Sequence, residues 1–192
     1  TRESGNGIPD IIDEARNEVD FFLSIRDGEG YSQGITNPSM EWSVMFQAGC
    51  TTMAAWANAA NCAMLAAALK IAGNLELVDY YTKEAVTAFR YASRQENLQL
   101  DDRQDVMTGR DFRQLAAAYL YNVTGDREWE DVMATDRAIK GEDSFISGTG
   151  GQIWATAAYL CCPQKRHYPE LYRNMKSSVC FEADEVHVKP SA

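Results

Sequence analysis

One long, almost wholly apolar segment limits the folds open to this chain more than any other feature. Alanines occupy every face of a helix drawn over 52–72, and the strongly polar residues in it are Asn58, Asn61 and Lys70. A helix that is apolar all round is normally covered by other elements on every side. A membrane span is not predicted, because no uninterrupted apolar run reaches the roughly 18 residues that one requires. The segment therefore predicts the buried centre of a helical domain.

Helical periodicity extends through the rest of the sequence. Apolar residues recur at three- and four-residue steps, which is the spacing of one face of an α-helix. No strand is predicted, although Gly30–Ile35 could form a short one. The pattern predicts an all-α fold with helices at about 8–27, 52–72, 76–94, 110–123, 127–138, 150–161 and 168–187.

The connections between these helices alternate in length. The long loops cover 28–50, 95–109 and 139–149, and the short turns cover 73–75, 124–126 and 162–168. Two short turns share the pattern G-[ND]-x-E, which indicates a weak repeat of helical hairpins. Such hairpins pack side by side in a solenoid or in a closed α/α toroid. We expect all long loops at one end of the array, and function with them.

Composition narrows the classes of function. The net charge of −10 and the pI near 4.7 repel phosphate backbones, so no nucleic-acid partner is expected. The hydrophobic fraction of 45% argues against disorder. Five cysteines cannot all pair internally and none forms a CxxC, so we expect small buried thiols. With only His167 and His187 to assist them, a cysteine metal site is not expected.

The opening segment resembles a known enzyme family. Residues 3–16 read ESGNGIPDIIDEAR, which is similar to the E-S-G-N-G-I-P-D-[IL]-L-D-E-A-R segment of family 9 glycoside hydrolases. Thr51–Ala72 and Asp111–Asp126 also resemble helices of that family, in the same order. These enzymes are cellulase-type hydrolases built on an (α/α)6 toroid. The resemblance implies that 1–192 is a single partial domain, with antiparallel hairpins that form about seven of the twelve helices.

The same resemblance implies where the chemistry would lie. The family's catalytic base comes from an Asp-Ala-Gly-Asp motif before this segment, and its general acid is a glutamate far beyond it. An inverting glycosidase needs both carboxyl groups, roughly 6.5–9.5 Å apart, one to protonate the leaving oxygen and one to activate water. No residue of this chain is therefore expected to be catalytic. The parent enzyme would cleave β-linked glucan or a related oligosaccharide, and 1–192 alone, without the N- and C-terminal catalytic segments, would be inactive.

Sugar binding in a cleft calls for aromatic faces and hydrogen-bonding side chains. Tyr31 and Trp42 lie in the first long loop and could either contact substrate or anchor that loop. Asp102 lies in the second long loop, and Met107 stands where the family often has an aromatic residue in its cleft. These four residues are the predicted substrate contacts.

A calcium site is the one cofactor that the resemblance raises. Some family members bind calcium at a Ser-Gly-x-x-Asp-Glu run, and the matching positions here are Thr108, Gly109 and Asp111. The spacing is one residue shorter, and Phe112 stands in place of the glutamate. Calcium takes six to eight oxygen ligands, and the glutamate of the family's run is replaced here. We therefore predict no cofactor, and calcium bound at this run is the alternative.

Partners and compartment follow from the same interpretation. A carbohydrate substrate is expected, together with self-association or pairing with the remaining segments of the parent enzyme. The resemblance implies an extracellular or periplasmic location. Two alternatives stay open: a non-catalytic helical array that binds protein, and another α/α-toroid glycosidase or a polysaccharide lyase. An exposed apolar surface among the long loops would favour the protein-binding alternative.

Overall fold

The computed structural model describes residues 5–37, 43–94, 97–101, 103–104, 107–141 and 145–189. All seven predicted helices are confirmed, with ends within a few residues of the expected ones. None of the helices in these ranges is long and apolar enough to cross a membrane. The helices are α1 Asp10–Ser24, α2 Thr52–Ala72, α3 Leu75–Ala92, α4 Gly109–Thr124, α5 Arg127–Asp136, α6 Gln152–Leu160 and α7 Pro169–Glu182, with a 3-10 turn at Ile146–Thr149 and a π-helical turn at Ala183–Val188.

Two small ladders stand among the long loops. Strand β1 (Ile35–Thr36) pairs with β2 (Phe46–Gln47), and β3 (Arg103–Gln104) pairs with β4 (Met107–Thr108), both antiparallel. The prediction of no strands is wrong at these positions, and of Gly30–Ile35 only the last residue enters a strand. Each ladder is only two residues long, and the residues of β1 and β2 are exposed.

The helices form an inner and an outer row. The inner helices α2, α4 and α6 pack side by side, and α3 and α5 return beside them as the second arms of hairpins. Gly73 and Gly125 end α2 and α4 with φ of +82° and +75°. A positive φ of this kind is strained for a residue with a Cβ, so glycine permits both tight hairpin turns.

The described parts of the long loops lie at one end of the array, as predicted. Arg94, at the start of the second loop, pairs with Glu29 of the first, with Nη1 and Oε2 2.6 Å apart. Arg110, in the first turn of α4, pairs with Asp101 of the second loop and with Asp136 at the end of α5. The first residues of α4 therefore meet the second loop and the end of α5. We call this the long-loop end.

The short turns meet at the opposite end. Lys70 Nζ, near the end of α2, donates a hydrogen bond of 2.7 Å to the Val123 carbonyl near the end of α4. Gln164 Nε2, in the turn before α7, donates to the Asn122 carbonyl at 3.1 Å. Since α2 and α4 both begin at the long-loop end and finish here, these inner helices are parallel.

The cysteines divide into two groups. Cys62 and Cys162 are buried, whereas Cys50, Cys161 and Cys180 are exposed, and all five are free thiols. Burial in the core raises the pKa of the Cys62 thiol to about 12, helped by the charges of Glu84 and Asp20. The expectation of buried thiols is thus confirmed for two cysteines and wrong for three, because the latter lie on exposed surface.

Candidate functional site

Tyr31 lies at the long-loop end but does not face solvent. Its ring is fully buried and lies 5.5 Å from the Tyr91 ring, with the Arg26 guanidinium 4.6 Å above it. The Thr51 amide donates a 3.0 Å hydrogen bond to the Tyr31 carbonyl. Burial raises the pKa of Tyr31 to about 12. Of the two roles considered for Tyr31, these contacts favour anchoring of the first loop against α3.

The other three predicted contacts have different outcomes. Trp42 and Asp102 lie outside the described residues, so their roles stay predictions. Met107, in β4, is half-buried and packs against the core. Gly151, the residue before α6, lies close to Met107. A Cβ added at Gly151 would lie only 2.8 Å from Met107 Cγ. A role for Met107 in substrate binding also stays a prediction.

Thr108 and Asp111 form a capping box at the start of α4. The Asp111 amide donates to Thr108 Oγ1 at 3.2 Å, and the Thr108 amide donates to Asp111 Oδ2 at 2.8 Å. A Cβ at Gly109 would lie only 2.2 Å from the Gln99 carbonyl oxygen, so this position requires glycine. The Thr-Gly-x-Asp pattern thus has a structural explanation in helix capping. Calcium binding there stays an untested prediction.

Replacing Thr108 with alanine tests the cap. We expect Thr108→Ala to lower the free energy of unfolding by about 1 kcal/mol, because Ala cannot accept the Asp111 amide proton. The measurement is urea denaturation in calcium and again in a calcium chelator, and the loss should be equal in both. A loss that appears only with calcium present would instead make Thr108 a metal ligand.

A buried carboxylate is held between two arginines near the same helix end. Asp136 Oδ2 lies 3.0 Å from Arg113 Nη1, and Asp136 Oδ1 lies 3.4 Å from Arg110 Nη1. Burial raises the pKa of Asp136, and the charges of Arg113 and Arg110 oppose that rise. The three side chains tie the start of α4 to the end of α5. Sequence periodicity does not reveal this network, since it joins residues more than 20 positions apart.

Some exposed apolar side chains at the long-loop end were not predicted. Phe46 of β2 is 50% exposed, and its neighbours Met45 and Ile35 are exposed as well. Trp154, a large apolar residue in the first turn of α6, is 63% exposed. Within the described part of the chain, no further inner helix covers that side of α6. Phe46 is thus an exposed aromatic ring at the long-loop end, whereas the Tyr31 ring is buried.

Metal ligation has no support among the described residues. No three histidine, cysteine, aspartate or glutamate side chains within these ranges come together as a possible metal site. The carboxylate of Asp111 caps α4, and that of Asp136 pairs with Arg113.

Comparisons with known proteins give matches at the level of structure. No family model matches the sequence, and no curated protein matches it either. Among solved structures, a metagenome-derived family 9 endoglucanase superposes with a TM-score of 0.70 at 21% identity, over 94% of this chain and 36% of the other. A family 9 glycoside hydrolase from Bacteroides ovatus gives a TM-score of 0.71 at 18% identity, over 96% and 38%.

A third solved structure agrees with these two. A single mutant of a thermostable endoglucanase from Alicyclobacillus acidocaldarius gives a TM-score of 0.65 at 17% identity, over 94% of this chain and 37% of the other. The chain thus spans little more than a third of each of these structures. At such identities the likeness establishes the fold alone: the antiparallel hairpins form part of an (α/α)6 toroid, as in family 9 glycoside hydrolases.

Proposed function

We propose that this chain forms about one third of a family 9-type glycoside hydrolase domain, and that its long-loop end forms one wall of a cleft for a β-linked glucan. The observation that carries this proposal is that the described parts of the three long loops lie at one end of a toroid segment whose solved neighbours include family 9 glycoside hydrolases. Loops that a rigid scaffold gathers at one end commonly carry binding and catalysis.

The proposed reaction is hydrolysis with inversion. One carboxylic acid protonates the glycosidic oxygen while a carboxylate on the opposite side deprotonates the attacking water. By the sequence resemblance, both groups come from parts of the domain that this chain does not supply. The described residues would position the glucan and fix the shape of the cleft, and the buried Tyr31 anchors the first loop in that wall.

Phe46 is the proposed sugar-stacking residue. It lies in the β1–β2 ladder of the first long loop and half of its surface is exposed. Pyranose rings present an apolar face of C–H groups, and covering that face with an aromatic ring removes apolar surface from water. The register Thr36↔Phe46 fixes where Phe46 stands on the loop.

A chimera provides the test of function. This chain would replace the matched third of the metagenome-derived endoglucanase, and reducing-sugar release from a soluble β-glucan would be measured. We expect turnover by the folded chimera and none by the 192-residue chain alone. Loss of one acid–base partner typically costs a factor of about 10²–10⁴, and here both would be absent. Phe46→Ala in the chimera should raise KM more than it lowers kcat.

Two results would contradict the proposal. One is a chimera that melts cooperatively, as the parent does, yet neither binds nor cleaves β-glucan. The other is turnover by the isolated chain that is lost on Asp102→Asn, Asp105→Asn or Asp111→Asn, which would place an active site within this segment. Glu76→Gln, far from the long-loop end, is the matched control and should leave turnover unchanged.

One observation favours a second function, the helical array that binds protein. Ile35, Met45 and Phe46 together expose apolar surface among the long loops. A protein-binding array would use this surface without any sugar. Binding of cello-oligosaccharides to the chimera, measured by calorimetry with and without Phe46→Ala, separates the two functions.

A further inference from the structure

A cavity of about 540 Å³ opens between α1 and α3, and we call it the α1–α3 cavity. Both helices pack against α2, and two contacts between them fix their separation. The Tyr81 hydroxyl donates a 2.6 Å hydrogen bond to Asp20 Oδ1, and Arg26 Nη1 lies 3.1 Å from Glu84 Oε2. The walls are therefore held in place without a ligand. Small-molecule sites commonly measure roughly 300–1,000 Å³, so the volume suits one.

An exposed aromatic ring lies in the lining of this cavity. Tyr80 of α3 is 47% exposed. Its ring meets that of the buried Tyr81 edge-on, with the centroids 4.9 Å apart and the planes at 77°. Partial burial raises the pKa of Tyr80, so its hydroxyl keeps its proton and can donate a hydrogen bond. Because Tyr81 already holds the ring, Tyr80 can cover a ligand with little further loss of side-chain freedom.

Polar side chains stand around this ring. Arg16 and Asp20 lie one helical turn apart on α1, with Arg16 Nε 3.4 Å from Asp20 Oδ2. Glu76, in the first turn of α3, and Ser24, at the end of α1, also line the cavity. A carboxylate has about four lone-pair sites, and the bonds from Tyr81 and Arg16 use two of those on Asp20. The partly exposed Asp20 can therefore accept further hydrogen bonds from a ligand.

The mixture of charges in the lining distinguishes between classes of ligand. It has the guanidinium of Arg16 and the carboxylates of Asp20 and Glu76. A phosphate or another anion would be repelled by the two carboxylates. A wholly apolar ligand would bury all three charged groups without partners, which is costly. A neutral, polyhydroxylated ring avoids both costs, because its hydroxyls pair with the charged groups while its C–H face covers Tyr80.

We propose that the α1–α3 cavity is a further glycan-binding site, which takes pyranose units of a β-linked glucan with a ring face on Tyr80 and hydroxyls on Asp20, Arg16 and Glu76. The choice of a glucan among sugars rests on the proposed function. The cavity lies away from the long-loop end, because Glu76 and Tyr80 belong to the first two turns of α3, which begins at the short-turn end. A polymer held here stays at a high effective concentration near the domain.

Sugar binding by the 192-residue chain tests the site. Cellohexaose is titrated into the Phe46→Ala chain, which lacks the stacking proposed at the long-loop end, and binding is followed by isothermal titration calorimetry. We expect saturable binding. Tyr80→Ala in this background should weaken it roughly tenfold, because no ring then removes the apolar face of the sugar from water. Tyr80→Phe, which keeps the ring, should retain most of the affinity.

Phe21→Ala is the matched control for Tyr80→Ala. Phe21 of α1 is 40% exposed and meets Phe22 edge-on at 5.3 Å, much as Tyr80 meets its own neighbour, but it lies outside the lining of the cavity. It should bind cellohexaose as the Phe46→Ala chain does. Arg16→Ala should weaken binding by a factor of about three or more, through loss of a charged hydrogen-bond donor.

Three results would overturn this proposal. One is no saturable binding by a chain that melts cooperatively, and another is equal weakening by Tyr80→Ala and Phe21→Ala. The third is equal affinity for maltohexaose, the α-linked counterpart, which would remove the assignment to β-linked glucans. Binding that depends on Tyr80 requires no turnover, and turnover by the chimera does not require Tyr80. The glycan site and the proposed function can therefore fail separately.

Discussion

Glu130→Ala should lower the free energy of unfolding by about 3–5 kcal/mol, because the Tyr159 hydroxyl and the His167 amide would each lose their acceptor at a cost of about 1–3 kcal/mol. Glu130 is fully buried in α5 and accepts a 2.5 Å hydrogen bond from the Tyr159 hydroxyl. The His167 amide also donates to it at 3.0 Å, and His167 Nδ1 lies 2.7 Å away. Alanine would leave these donors buried without an acceptor.

Tyr159, whose hydroxyl contacts Glu130, acts as a hydrogen-bond donor. Burial raises the pKa of Tyr159, and the neighbouring Glu130 carboxylate raises it further, so the hydroxyl keeps its proton at all ordinary pH values. Tyr159 and His167 connect α6 and the turn before α7 to α5. Losing Glu130 would therefore loosen three elements at the short-turn end, which explains the size of the expected effect.

Glu128→Ala is the matched control for this prediction. It lies two residues earlier on the same helix, where its exposed carboxylate pairs with Arg90. Exposed pairs contribute about 0–1 kcal/mol, so we expect little change. Equilibrium denaturation in urea gives both values. Equal losses for the two variants would show that the buried cluster does not stabilise the fold.

Trp56→Ala should also cost about 3–5 kcal/mol, through lost packing. Trp56 is fully buried in α2, and its ring meets Phe89 of α3 edge-on at 5.1 Å between centroids. Phe89 in turn meets Trp129 of α5 at 5.1 Å. Trp56 Nε1 has no hydrogen-bond partner among the described residues, so the substitution removes packing and no hydrogen bond.

Trp154→Ala provides the comparison at an exposed site. The same side chain is lost from another inner helix, but Trp154 is 63% exposed and its surface stays largely in water in either state. We expect a change of about 0.5 kcal/mol or less. The denaturant midpoint of each variant, at an unchanged slope, is the measurement. A loss from Trp154→Ala as large as that from Trp56→Ala would mean that α6 is covered in solution.

Local sequence was sufficient for the helices and the turns between them. Apolar spacing depends only on the 3.6-residue period, so seven helices could be placed without knowledge of their neighbours. Gly73 and Gly125 mark turns that need a positive φ, which is a property of the residue itself. Alternation of loop lengths then predicted that the long loops share one end, because antiparallel hairpins allow no other arrangement.

Burial of individual side chains depended on what each helix or loop meets. Tyr31 could either line a cleft or anchor its loop, and it lies in the core because Arg26 and Tyr91 close over it. Trp154 belongs to an inner helix and is still exposed, because one side of α6 is uncovered. Periodicity gives the direction of a side chain around its own helix, but it carries no information on which sides have neighbours.

The sequence by itself therefore determined the helices, the hairpin turns and the end at which the long loops gather, all of which follow from local spacing and backbone conformation. Only the tertiary structure decided that Glu130 is a buried acceptor, that the Tyr31 ring is fully buried, and that Met64 and Ile71 of α2 are exposed. These depend on contacts between residues far apart in sequence. Their energies arise from desolvation and packing, which exist only once the helices are assembled.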